Sequence, residues 1–323
     1  MVHHIITTVY APAIIVQTSL RALSTHAQTT SDVEEPLFPN EDIDEIFDEC
    51  DPQQEQGDQK EVQDFAKGVG VIIQSCNKYE YYAALELIKP PTKQFKRAVR
   101  CDIDTPDTEV TIGMFAGYKA AIVWTKQGAS CVIDLQKILR FFKNAKALLG
   151  LGVAFGMDRK VVHFGDVLVA KQIVDYAERP KLVNGKLRHR GQILNTKNIL
   201  NKIFCKDATG WKFPCTTGDR LATAVIGQLI SSPNLLDDDN IKQGIKEAYP
   251  DAKGGEMEGW VQYTHIQDEF PTIEAIIIKG VADYGDGKKD DKWQLSAAKA
   301  AVHYARFQLQ RSSAYKDPQP PSV

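Results

Sequence analysis

No Cys-x-x-Cys pair occurs in this sequence, and its six cysteines (Cys50, Cys76, Cys101, Cys131, Cys205 and Cys215) are scattered. That spacing argues against a zinc site and a dense disulfide framework, and it fits a reducing, cytoplasmic compartment. The seven histidines are dispersed, and none stands with cysteines or acids at ligand spacing, so no metal is expected. No apolar run reaches the ~18 residues that a membrane-spanning helix needs. No basic helix or nucleic-acid motif is present, and there is no internal repeat. The first 30 residues lack acids altogether and hold a single arginine, Arg21. They read as a poorly ordered leader.

Charge is distributed unevenly over the rest of the chain. Residues 31–64 contain 14 Asp or Glu and one Lys. This stretch, taken to residue 66, reads as an acidic linker, solvated and flexible. Within it, Ile43, Ile46 and Phe47 could line an amphipathic turn or two. It lacks the central glycine of a calcium loop. Residues 65–323 carry 37 basic and 28 acidic residues, a balance that suits an anionic ligand as well as a mixed-charge surface.

From residue 67 to 311 apolar β-branched runs alternate with helical patterns. Strands are expected over Val69–Ile73, Ala120–Trp124, Ala147–Val153, Val167–Ala170 and Thr272–Lys279. Helices are expected over Tyr81–Leu87, Val132–Phe142, Asp219–Ile230 and Gln294–Gln310, the last with an apolar stripe at i, i+3, i+4 spacing. The alternation implies an α/β fold, with a mixed, mostly parallel sheet covered by helices and ligands at the carboxyl ends of the strands. Residues 312–323, with three prolines, read as a flexible tail.

Two segments suggest chemistry. Asp283 stands just past the apolar run Ala275–Ile278, in the glycine-rich stretch Lys279 to Gly287. A carboxyl there can be desolvated enough to donate a proton, although a turn-forming Asp would look the same. In Gly254-Gly255-Glu256-Met257-Glu258-Gly259, an extended chain would point both acids the same way, while entry into a helix would leave Glu258 at its N-terminus. A carboxylate can accept from two vicinal sugar hydroxyls. An exposed acidic turn is the plainer alternative.

Taken together, Gly-Glu-Met-Glu-Gly followed about 25 residues later by a strand ending in Ala282-Asp283 resembles the nucleoside phosphorylase superfamily. Gly152-Val153-Ala154-Phe155-Gly156, Phe164-Gly165-Asp166-Val167-Leu168-Val169-Ala170 and Thr217-Gly218-Asp219 resemble that family's glycine-rich loop, its following segment and the segment before its base pocket. Asp291-Lys292-Trp293-Gln294 is similar to phosphorylase-like domains of larger proteins. The resemblance implies a partly closed barrel. It implies that Asp283 protonates the purine N7, that Glu258 grips the ribose hydroxyls with Met257 under the sugar, and that Asp219 and Leu221 border the base. Leu221 stands where the family usually has an aromatic ring.

The same resemblance bears on the nucleophile. Phosphorylases of the family carry a Gly-Asp-Pro-x-Arg-like loop after the first strand; here that stretch is Gln74 to Glu80, ending where hydrolytic members carry the Glu that activates water. Ala154 also replaces a phosphate-binding Ser. Lys78, Lys288, Lys289, Lys292, Trp293, Arg188 and Arg190 are candidates for the 5′ end of a nucleotide. The resemblance implies hydrolysis of a purine nucleotide, ATP to adenine and ribose 5-triphosphate, as in phosphorylase-like domains of some immune effector proteins. No cofactor is required, and a homo-oligomer is expected. A phosphorylase or a methylthioadenosine/S-adenosylhomocysteine nucleosidase remains an alternative, as does a nucleotide-sensing domain with little turnover.

Overall fold

A computed structural model describes residues 35–50, 52, 59–103, 108–176, 181–183, 186–188, 191–196, 198–218, 220–234, 237–288 and 290–315. The expected leader and the end of the tail lie outside them. In chain order the elements are α1 (Ile43–Cys50), α2 (Gln59–Lys67), β1 (Val71–Ser75), α3 (Lys78–Leu85), β2 (Val99–Arg100), β3 (Glu109–Phe115), β4 (Tyr118–Trp124), α4 (Cys131–Phe141), β5 (Ala147–Gly156) and β6 (Val167–Asp175). They continue with β7 (Lys181–Val183), β8 (Lys186–Arg188), β9 (Ile193–Asn195), α5 (Ile199–Phe204), β10 (Ala224–Ser231), α6 (Asp239–Ala248), β11 (Ala252–Glu256), α7 (Gly259–Glu269), β12 (Glu274–Asp283) and α8 (Gln294–Gln310). No helix among the described residues is long and apolar enough to cross a membrane.

Strands pair in the order β11-β10-β6-β12-β5-β1-β4-β3-β2, and β11 also pairs with β5. That extra pairing closes five strands into a ring, from which β1, β4, β3 and β2 extend as an open wing. The closing contact is antiparallel, Gly254 opposite Gly156 and Gly255 opposite Phe155. It requires glycine, because a Cβ on Gly254 would collide with the Phe155 carbonyl. The carboxyl end of β11 is thereby brought to the carboxyl end of β5.

The centre of the sheet is dry on both faces. Ile276, Ile277 and Ile278 of β12 are fully buried, each burial contributing about 2–3 kcal/mol. β12 runs parallel to β5 and antiparallel to β6, so the sheet is mixed. The alanine-rich face of α8 lies directly on β12, where a Cβ on Gly280 would strike the Ala297 backbone.

Three expectations need correction. The helix expected over Asp219–Ile230 is absent: Ala224–Ser231 is strand β10, hydrogen-bonded in parallel between β6 and β11. Its apolar residues fill two faces of a sheet, and a short apolar run does not reveal this by periodicity. The acidic stretch read as a tether contains α1 and α2, with Ile43, Ile46, Val62, Phe65 and Ala66 buried. At the other end, Tyr118 donates to the Ser312 carbonyl (2.6 Å) and Tyr315 to Glu274 (2.6 Å), so the first residues of the expected tail are docked.

Candidate active site

The carboxyl ends of β1, β5, β11 and β12 surround a cavity of about 190 Å³. Glu80, Met257, Glu258 and Asp283 all line it, together with Cys76, Asn77, Gln127, Val153, Ala154, Phe155, Asn234, Gly255, Glu256 and Gln294. Four residues singled out by sequence pattern and resemblance, from three separate segments of the chain, thus share one space.

Glu80 comes from the first turn of α3, whose N-cap Asn77 accepts from the Glu80 N–H (3.0 Å). Its side chain turns back into the protein. Oε2 accepts from Cys76 N–H (2.7 Å) and Oε1 from Val153 N–H (2.9 Å). Gly152 leaves the room, since a Cβ there would collide with Oε1. Burial pushes the Glu80 pKa up, the charge of Glu258 adds to the rise, and Lys279 offsets part of it.

The two acids around Met257 divide their work. β11 ends at Glu256 and α7 begins at Gly259. The Glu256 carboxylate accepts from the N–H groups of Glu258 (3.0 Å) and Gly259 (2.8 Å), so it caps α7. Its pKa is also raised, by burial first and then by Glu258. Glu258 has other partners. Its Oε1 accepts from Gly128 N–H (3.0 Å) and its Oε2 from Lys279 Nζ (3.3 Å). The remaining lone pairs of a carboxylate held in this way can accept from a polyol.

Lys279 is a site residue that the sequence patterns did not single out. It lies on β12 four positions before Asp283, wholly buried, with Nζ also 4.0 Å from Glu256. Burial works against its charge, yet Glu258, Glu80 and Glu256 outweigh it and hold the ammonium above its ordinary pKa. The signal was legible: a lysine directly after three consecutive isoleucines in a buried strand needs acidic partners. One ammonium serving three carboxylates leaves excess negative charge when all are ionised, an environment that favours a developing cation.

Asp283 ends β12 across the cavity. The pairing of β12 with β5 slips between Val281 and Asp283, a bulge that re-aims the side chain. Its Oδ1 accepts from Gly285 N–H (2.8 Å), and Gly285 has φ +55°, where glycine is favoured.

The candidates for the base and the 5′ end are not gathered in the same way. Leu221 is 41% exposed and is not among the cavity-lining residues. Trp293 is buried, stacked on Phe164 (centroids 4.5 Å apart), and shares one buried apolar cluster with Ala282, against which Val153 packs. Lys78 is exposed, with its ammonium 5.0 Å from the Tyr79 ring centre. Lys288 is exposed, and Lys292 pairs with Glu35 (3.0 Å) and Asp290 (3.6 Å). Arg188 ends β8; its side chain, and Asp219, Lys289 and Arg190, lie outside the described residues. Four carboxamides that the sequence did not single out, Asn77, Gln127, Asn234 and Gln294, line the cavity instead. Among the described residues no group of three His, Cys, Asp or Glu is disposed to hold a metal ion.

No protein-family model matches the chain. It is 29% identical over 276 residues to a death domain-containing ATP nucleosidase of Amphimedon queenslandica, covering 78% of this chain and 50% of that protein. It is 26% identical over 184 residues to the ATP nucleosidase Cap17 of Escherichia coli (strain KTE188), covering 51% of this chain and 36% of that one. The chain thus spans half or less of the length of these relatives. Among solved structures, the 5′-methylthioadenosine/S-adenosylhomocysteine nucleosidase of Neisseria meningitidis in complex with methylthio-immucillin-A superposes with a TM-score of 0.59 at 16% identity, covering 75% of this chain and 99% of that one. The ring-closed mixed sheet and this superposition give the chain the fold of that nucleosidase, and its sequence is similar to the two ATP nucleosidases.

Proposed function

We propose that the chain hydrolyses the N-glycosidic bond of a purine nucleotide, with ATP as substrate and adenine and ribose 5-triphosphate as products. The observation that carries this reading is the convergence of Asp283, Glu258 and a backbone-anchored Glu80 on one cavity. The names of the two relatives favour ATP as the nucleotide.

In this mechanism the Asp283 carboxyl gives its proton to purine N7 as the C1′–N9 bond breaks and its electron pair goes to the base. Glu258 accepts from the ribose hydroxyls and, with its neighbours, stabilises the positive charge growing on the sugar. Met257 packs under the ring. A water adds its oxygen to C1′ and gives a proton to Glu80, which its raised pKa makes a stronger base than an ordinary carboxylate. Side chains alone supply this chemistry, so the reading calls for no cofactor. Lys288 and Lys292 on the turn after Asp283, and Lys78 at the start of α3, are the described cations this reading assigns to a 5′ phosphate. Five cysteines among the described residues form no disulfide, in keeping with the cytoplasmic setting this reading expects. We also expect a homo-oligomer, which sedimentation would detect.

One observation favours a second reading. The exposed Leu221 leaves the base without a wall from that side, as suits a domain that senses a nucleotide with little turnover. Chromatography of a nucleotide and nucleoside panel, with and without inorganic phosphate, separates these readings. Adenine with ribose 5-triphosphate is expected. Ribose 1-phosphate would mean phosphorolysis, and ATP binding without adenine release over hours would establish the sensor.

A further inference from the structure

The acidic segment ahead of the barrel is anchored at several independent points. Leu37 N–H donates to the Cys215 carbonyl (3.0 Å) and Thr217 N–H to the Glu35 carbonyl (3.0 Å). Phe38 packs on Phe213 with the Lys299 ammonium 4.3 Å from its ring centre. Ile43 and Ile46 of α1 are buried, and Phe47 meets Tyr82 of α3 edge-on (5.3 Å). Between these anchors stands Asn40, which opens a 3-10 turn leading into α1.

The Asn40 carboxamide makes two bonds to the turn that begins α8. Its Nδ2 donates to the Asp291 carbonyl (2.6 Å), and its Oδ1 accepts from Leu295 N–H (3.1 Å). The helix has no side-chain cap of its own at Trp293, so a first-turn amide finds its acceptor 255 residues away in sequence. Of the three residues held between those bonds, Trp293 and Gln294 lead to the cavity. Trp293 shares one buried apolar cluster with Ala282, the neighbour of Asp283, and Val153 packs against that cluster. Gln294 lines the cavity and accepts from Asn77 Nδ2 (3.4 Å), and Asn77 in turn caps the Glu80 N–H.

We propose that Asn40 is a positioning residue for the nucleosidase pocket, fixing the 291–295 turn so that Trp293 and Gln294 set the proton donor and the water-activating base at the same time. The proposal rests on the function inferred above. It makes the segment before the barrel part of the working site, although none of its residues lines the cavity.

The test compares Asn40→Ala and Asn40→Asp with the unaltered full chain by amide hydrogen exchange and by ATP turnover. In Asn40→Ala, amides of residues 291–297 and 77–82 should exchange about 10-fold faster, while those of β5, β6 and β12 stay unchanged. kcat should fall about 10-fold, with KM moving less than about 3-fold. Asn40→Asp keeps the acceptor for Leu295 and loses the donor to Asp291, so it should recover much of both losses. Unchanged exchange at 77–82 would overturn the proposal, and so would faster exchange across the whole barrel, which marks a merely structural role. If the unaltered chain released no adenine, the proposed function would fall, while the exchange comparison would still decide whether Asn40 holds the turn.

Discussion

The inner wall of the cavity and the surface turn outside it are built differently. On the inner side Glu80, Glu256, Glu258 and Lys279 are buried, and each carboxylate is held by peptide N–H groups of strand ends or helix starts. On the outer side, beyond the residues that line the cavity, the charges sit on the turn after Asp283 and nearby loops. There Arg159 pairs with Asp286 (2.9 Å) over the Tyr284 ring, Lys292 pairs with Glu35, and Lys288 is exposed. The inner side cannot rearrange without breaking buried bonds, whereas the outer side changes at the small energies of surface pairs. Under the function proposed here, the groups assigned to bond cleavage are fixed in geometry, and those assigned to the 5′ group are adjustable.

The largest break should come from Asp283→Asn. An amide cannot supply the proton, so adenine release should drop by roughly 10²–10⁴-fold with the circular dichroism spectrum unchanged. Unaltered turnover in this variant would remove Asp283 from its role.

Lys279→Met should reveal how much of the inner side is locked electrostatically. It leaves three carboxylates together without their cation, at a cost of about 3–5 kcal/mol in denaturant unfolding. A loss below about 1 kcal/mol would show that protonation of the acids replaces the ammonium.

Glu80→Gln should lower kcat by about 10²-fold and flatten the acid side of the pH profile. In the unaltered protein burial raises the Glu80 pKa, so kcat/KM should climb with pH through a value above the usual carboxylate range. Over that same window the folded state holds a proton that the unfolded chain has lost, so stability should decline slightly as pH rises. A breakpoint at the ordinary glutamate value, or one that survives in Glu80→Gln, would assign the limb to another group.

The smallest effect should follow Lys288→Ala on the outer side. KM for ATP should rise about 3-fold at low salt and the difference should fade at high salt, with kcat and adenosine cleavage unchanged. An equal loss on adenosine would sharpen the comparison in the opposite direction, making the outer turn part of the chemistry.

Much of this arrangement was readable in the order of residues. Asp283 after an apolar run and Glu258 between glycines were visible as local patterns, and the parallel-rich sheet was visible as alternation. Strand β10 was not, because an eight-residue apolar stretch fits a helix as well as a strand until its neighbours β6 and β11 are known. The acidic segment misled through composition. Its charge dominates any window, yet Ile43, Ile46 and the carboxamide of Asn40 decide where it docks. For Lys279, the lysine after three isoleucines signalled acidic partners, but which acids they are was hidden, because they come from the β11–α7 junction.

The sequence by itself determined which groups could do chemistry and which strand ends would carry them, because periodicity and glycine placement act over a few neighbouring residues. Tertiary structure decided that Glu80 faces the same cavity as Glu258 and Asp283, that one buried lysine binds the acids together, and that Asn40 caps a helix far away in the chain. Those outcomes depend on contacts between distant segments, closed by the Gly254–Gly156 pairing of the ring, and no local pattern encodes which distant atoms will meet.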